Sequence, residues 1–171
     1  MIRLEKFNKN AYATLISWVD SKELLMQFAG PSFEFPLTPE QLDRHLENNE
    51  RQVFRVVNAE SGNHIGHAEI FLTETSAYLS RILVAKKEDR GTGLGLAIVN
   101  QLLQIIFSTT DKNKAELNVF DWNLAAIRCY EKAGFTIHPS KRSERYINSE
   151  TWVAINMFLY KEKWVSQSHV G

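Results

Sequence analysis

The sequence predicts an α+β domain: a mixed, mostly antiparallel central sheet of about seven strands, flanked by helices, with a single parallel crossover. Three observations predict it. The segments IRLEKF, QVFRVVN, HIGHAEIFLT and AYLSRILV alternate or cluster apolar residues as strands do. Stretches of helical period precede and follow them. Between AYLSRILV and AELNVF lies the longest apolar run, and a strand, helix, strand succession of that length makes a crossover, so those two strands should run parallel.

Taken in order, IRLEKF opens as a half-buried strand, and Asn8 or Asn10 caps a helix that runs through about Val19. A second short helix covers Lys22 to Phe28. Thr38, Pro39 and Gln41 give an N-cap, a first-turn proline and a capping-box residue for a third helix. QVFRVVN and HIGHAEIFLT are joined by AESGN, a hairpin connection. AYLSRILV follows. From Leu94 to Phe107, residues Leu94, Ile98, Leu102, Ile105 and Ile106 form one stripe widened by Val99 and Leu103, which requires a largely buried helix. AELNVF is the next strand, and NLAAIRCYEKAG is an amphipathic helix closed by Gly134. Strands at about Phe135 to Pro139 and Thr151 to Tyr160, separated by the polar stretch SKRSERYINSE, complete the sheet.

The chain has 171 residues, enough for one good core and too few for two ordinary domains, so residues 1–171 are expected to form one domain. Twenty basic and twenty acidic residues give a formal net charge of zero, which argues against nucleic acid or an anionic membrane as partner. No apolar stretch reaches the roughly eighteen residues of a membrane span, and MIRLEKFNKN lacks the apolar centre of a signal peptide. A cytoplasmic location is the expectation. The single cysteine, Cys129, fits a reducing compartment and a packed side chain in a helix.

The segment RGTGLG, Arg90 to Gly95, carries the chemistry. A nucleoside-triphosphate loop needs Lys and Ser or Thr after the last glycine, where Leu96 and Ala97 stand. A dinucleotide fingerprint needs Gly or Ala at the position of Leu96 or Ile98. Both fail. What remains is Arg90-x-x-Gly93-x-Gly95 at the mouth of a buried helix, where main-chain N–H groups lack intrahelical partners and the helix dipole favours an anion. Glycines admit a pyrophosphate to those amides and a guanidinium can close over it. A ligand-free glycine turn is the plain alternative.

SRILVAKKEDRGTGLGLAIVNQLL resembles the acetyl-CoA-binding motif of the GNAT superfamily of N-acyltransferases, and NLAAIRCYEKAGF is similar to its later motif, with Asn123, Ala126, Tyr130 and Gly134-Phe135 at the family spacing. The order of elements matches over nearly the whole chain. The resemblance implies acetyl transfer from acetyl-CoA directly to a primary amine of a small molecule or peptide, with no metal. It also implies that Leu83 and Val84, at a bulge before the loop, offer main-chain groups to pantetheine and the thioester carbonyl. Arg90, Gly91, Thr92, Gly93, Leu94 and Gly95 would hold the coenzyme's diphosphate. Tyr130 would protonate the departing sulfur, although a phenol is ordinarily a weaker acid than a thiol, so hydrogen-bond donation is the larger part of that role. Asn123, two turns earlier, either contacts pantetheine or caps its helix.

The acceptor must be deprotonated before attack, and Glu69 is the candidate base, because alternation in GHAEIFL puts His67, Glu69 and Phe71 on one face. His67 is the second choice, and a solvated strand face is the alternative. The N-terminal stretch with Trp18 and Asp20, followed by GPSFEFPLTPEQL, resembles the branch of ribosomal-protein, polyamine and aminoglycoside acetyltransferases. Phe33, Glu34 and Phe35 are candidates for lining a pocket for a cationic amine, or for hydrophobic packing and a turn. Many relatives are dimers, so a homodimer is among the implications, with Trp152 and Trp164 either at the interface or in the core. A CoA-binding sensor without turnover is the alternative to an enzyme.

Overall fold

A computed structural model describes residues 1–168. The strands are β1 (Ile2–Lys6), β2 (Arg51–Asn58), β3 (His64–Leu72), β4 (Ala77–Val84), β5 (Lys114–Phe120), β6 (Thr136–Ile147) and β7 (Glu150–Tyr160). The helices are α1 (Tyr12–Trp18), α2 (Lys22–Ala29), α3 (Pro39–Leu46), α4 (Leu94–Thr109), α5 (Leu124–Lys132) and α6 (Lys161–Ser168). One seven-stranded sheet runs in the order β1-β2-β3-β4-β5-β7-β6. Its neighbours are antiparallel except β4 and β5, which are parallel, as the crossover through α4 requires.

Local chemistry sets the helix starts. The Asn8 side chain accepts from the Asn10 amide and starts a 3₁₀ turn that leads into α1, Ser21 accepts from Leu24 at the head of α2, and Thr38 accepts from Gln41 at the head of α3 with Pro39 in the first turn. The sheet is covered on both faces. On one, α4 buries Ile98, Val99, Leu102, Leu103, Ile106 and Phe107 against Ala68, Ile70, Leu79 and Leu117. On the other, α1 to α3 pack Leu15, Leu25, Phe28 and Leu42 with Phe7 and Val53. Each such aliphatic or aromatic side chain contributes about 1.5–3 kcal/mol of burial.

Three expectations change. SKRSERYINSE is strand rather than connection for most of its length: β6 continues to Ile147 after losing register with β7 between Ile137 and Arg142. Its side chains are mainly exposed because β6 is the sheet's edge, so its polar composition reads as a loop. The tail adds α6, which the sequence pattern does not announce. The bulge in β4 also lies earlier than Leu83 and Val84. Pairing runs from Ser80 opposite Glu69 to Leu83 opposite His67, which places Arg81 and Ile82 against Ala68 alone, and Arg81 adopts a φ of 48°. No described helix is long and apolar enough to cross a membrane.

Candidate active site

The site begins where the parallel ladder ends. β4 and β5 pair only at Ala77 with Ala115 and Tyr78 with Glu116. Beyond that point the strands part, and a cavity of about 740 Å³ opens between Leu79–Val84 on one side and Asn118–Phe120 on the other. The start of α4, the inner face of α5 and the end of α2 close its walls.

At one end stands the glycine loop. Gly93 is the N-cap of α4 with a φ of 95°, and no side chain caps the helix. Residues 90–93 form a turn, and none of the main-chain amides from Gly91 to Leu96 makes a close, well-aligned main-chain hydrogen bond to a described residue. Gly91, Gly93 and Gly95 line the cavity, whereas Thr92 and Leu94 face a separate shallow depression beside Met1 and Ile2. The Thr92 hydroxyl is engaged by the Asp89 carbonyl at 2.6 Å. Arg90 lines the cavity and donates weakly to the Val84 carbonyl at 3.4 Å, which leaves the rest of its fork available. Leu83 and Val84 line the same wall.

Tyr130 and Asn123 come to the cavity from α5. The Tyr130 ring rests on Phe135, its hydroxyl bonds to no other described residue, and burial pushes its pKa above the ordinary phenol value. Asn123 is the N-cap, accepting from the Ala126 amide at 3.3 Å, and its amide NH₂ remains for a ligand. Cys129 also lines the cavity. Burial pushes its thiol up, against a smaller opposing pull from Lys132, so it stays protonated at neutral pH.

Glu69 is not on a solvated face; it is 1% exposed and lies under α1 to α3. Its carboxylate meets His45 Nε2 at 2.9 Å, His67 Nε2 at 3.1 Å, Arg81 Nη1 at 3.2 Å and Arg51 Nη1 at 3.3 Å. Burial alone would raise its pKa, but the hydrogen bonds from His45 and His67 and the charge of Arg81 outweigh it and hold the carboxyl well below the usual range. His67 is itself 1% exposed, between Phe7 and Phe28. Neither residue lines the cavity. Arg81 does, and it links Glu69 to Ser32 Oγ at 2.7 Å.

Phe33, Glu34 and Phe35 are likewise not in the cavity wall, where their neighbours Gly30, Pro31 and Ser32 stand. Phe33 packs edge-on to His45 beneath the Arg81 guanidinium. The Glu34 main chain is held by the Gln41 side chain. Trp18 packs on His64 and Asp20 is exposed. Trp152 packs with Phe120 and Trp122, and Trp164 with Phe107.

Sequence reasoning missed the cavity's charge. Arg81, Arg90, Arg128, Lys132 and Arg145 line it, with no aspartate or glutamate among the described lining residues. The i, i+4 spacing of Arg128 and Lys132 was a readable signal, since such residues share a helix face. Arg145 had none, because its place follows from the extension of β6.

Comparison with known proteins places the chain in a family and a fold. A family model described as the acetyltransferase (GNAT) family matches residues 18–135. The chain is 25% identical over 148 residues to an aminoglycoside N(6′)-acetyltransferase type 1 of Klebsiella pneumoniae, covering 78% of this chain and 73% of the relative. The fold is that of spermidine N-acetyltransferase from Vibrio cholerae, solved with CoA and spermine: TM-score 0.79, 22% identity, 96% of this chain and 98% of the other. A dodecameric structure of that Vibrio cholerae enzyme gives a TM-score of 0.76 at 22% identity, covering 98% of each chain.

Proposed function

The chain belongs to the acetyltransferase (GNAT) family, and on that premise we propose how its residues move an acetyl group from acetyl-CoA to a primary amine of a small molecule. The observation that carries the reading is the glycine loop at the mouth of α4, whose amides from Gly91 to Leu96 make no close main-chain hydrogen bond and whose Gly91, Gly93 and Gly95 line a cleft with Arg90 beside them. These residues fit the coenzyme. An added Cβ at Gly91 or Gly93 meets nothing within 4 Å, so the space over the loop is open, and the dipole and amides there favour a diphosphate. Arg128 and Lys132 on α5 add charge for the remaining phosphate.

Acetyl-CoA supplies an acetyl group activated as a thioester. Main-chain groups of β4 from the Arg81 and Ile82 bulge to Leu83 and Val84 would pair with the pantetheine arm and the carbonyl, replacing the β5 partners lost where the ladder ends. One N–H aimed at the developing oxyanion would be worth roughly 3 kcal/mol. The Asn123 amide would steady the pantetheine. Tyr130 would donate a hydrogen bond to the departing sulfur. Its raised pKa argues against full proton transfer and for donation. With Cys129 held as a thiol, direct attack by the amine needs no acyl-enzyme.

Glu69 keeps a place in the proposal through charge rather than as a free base. A carboxylate with four donors is a poor proton acceptor, but it holds Arg81 at the bulge and sets the potential at the acceptor end. Proton removal from the amine would pass to water in the open cleft. The aminoglycoside and spermidine enzymes among its relatives support a small amine as acceptor. We also propose a cytoplasmic setting, in keeping with the free Cys129, and self-association, in keeping with the dodecameric neighbour.

The test is release of free thiol from acetyl-CoA by the purified protein with a panel of primary amines. Acceptor-dependent release with N-acetylated product supports the reading. No release and no acetylated product with any acceptor, from protein that binds CoA, overturns it.

A further inference from the structure

Part of the cavity is left over once the coenzyme is placed. Under the reading above, the glycine loop with Arg90, the inner face of α5 and β4 from its bulge to Val84 hold the coenzyme. The remaining wall comes from α2 and the turn after it, from Tyr78 to Ser80, and from β5, β6 and β7 where Asn118 to Phe120, Arg145 and Ala154 reach the cavity. Its side chains are mostly apolar. Leu24, Met26, Phe28, Phe120 and Ala154 contribute to it, and the last three are buried. Among the described lining residues of this part, Arg145 is the one charged side chain.

No carboxylate is available there. Glu69, on β3, is 1% exposed and already takes His45, His67, Arg51 and Arg81. Glu116, on β5, is 3% exposed and takes Ser76, Tyr78, Lys114 and Lys141. Glu23, on α2, accepts from the Asn148 side chain. None of the three lines the cavity. A second ammonium carried into this space would leave water with no carboxylate to receive it and would meet like charge at Arg145. An apolar chain gains by the same transfer.

We propose that the acceptor is a monoamine, a small primary amine with an apolar body and no second cationic group. This assignment rests on the acetyltransferase reading. It separates the chain from the relatives named for spermidine and aminoglycosides. The reacting nitrogen escapes the penalty because it attacks as the neutral amine, the form that surrounding positive charge favours. The step balances without a further reactant. The ammonium gives one proton to water, and the freed lone pair forms the bond to the acetyl carbon. The carbon–sulfur bond breaks with its pair on sulfur. A second proton leaves the nitrogen as the amide forms, and sulfur takes one up from water to end as the thiol.

The experiment uses the full-length protein with acetyl-CoA and three acceptors of one length: hexylamine, 6-amino-1-hexanol and 1,6-diaminohexane, with spermidine and kanamycin as larger polycations. The amino alcohol separates charge from polarity. Expected is a kcat/KM at least about tenfold higher for hexylamine and for the amino alcohol than for any polycation, the scale of one charge left without a partner. Arg145→Glu places a carboxylate in the wall and should narrow that gap by lowering the KM of the diamine. A polycation used as well as the amino alcohol, or a gap that Arg145→Glu leaves untouched, overturns the monoamine proposal while leaving the acetyltransferase standing. No transfer to any acceptor, from protein that binds CoA, overturns both.

Discussion

The Arg81 guanidinium donates to the Glu69 carboxylate at 3.2 Å, across the point where β3 and β4 lose register. Arg81 has a left-handed backbone, with a φ of 48°, which costs a non-glycine residue about 1–2 kcal/mol. The bond to Glu69 and the bond to Ser32 hold it there. Glu69→Gln leaves the buried Arg81 and the half-buried Arg51 without the charge of Glu69. The expected loss is about 3–5 kcal/mol in urea unfolding. Among variants that remain folded, acetyl transfer should fall more than CoA affinity does, because the bulge and not the glycine loop is disturbed.

Acid should destabilise the protein through two carboxylates. Burial alone would raise the Glu116 pKa, but Lys141 at 2.7 Å, Lys114 at 2.9 Å and Ser76 at 2.9 Å bring it to about 2. Glu69 is also depressed. A folded pKa below the unfolded value means that the stabilisation is whole above the unfolded value of 4.5 and is lost as pH falls through the folded one. Unfolding free energy should therefore decline steadily from about pH 4.5 toward pH 2. Lys141→Ala should flatten that decline, and a profile unchanged by the substitution would count against the Glu116 pairing.

Tyr130→Phe should lower kcat for thiol release by about tenfold to a hundredfold, the range of one charge-directed hydrogen bond, with CoA affinity nearly unchanged. Since burial raises the Tyr130 pKa, the phenol stays protonated past its ordinary value of 10. The pH–rate profile should show no descending limb from this group below about pH 10.

Gly66 lies opposite Val84, and an added Cβ there would stand 2.7 Å from the Leu83 carbonyl oxygen. Gly66→Ala must push β4 outward just where it walls the cavity. Overpacking of this kind costs about 1–3 kcal/mol. Thermal unfolding should move down by several degrees, and the KM for acetyl-CoA should rise.

Most of the sheet and the glycine-loop end of the cavity were legible because they depend on local signals. Leu94 to Phe107 repeats at helical period, and Gly93 and Gly95 mark a helix mouth whatever surrounds it. The surroundings of Glu69 and Arg81 were not. Glu69 reads as one of an alternating pair, and nothing local says that His45 and Arg51, from other elements, converge on it. Arg81 reads as an ordinary strand residue, although it is the turning point of the bulge. Arg145 sits in a polar run that looks like loop until β7 supplies a partner. Phe33 and Glu34 drew attention by composition, but the chain turns so that Pro31 and Ser32 reach the cavity instead.

The most direct test of the account is a calorimetric titration of CoA into the wild-type protein and into Arg90→Ala. Binding to the wild type at one CoA per chain, weakened about tenfold by the loss of one charged hydrogen-bond donor, is the predicted result. No heat of binding in the wild type, or equal affinity in the two proteins, would contradict the placement of the coenzyme's diphosphate on the amides of Gly91 to Leu96.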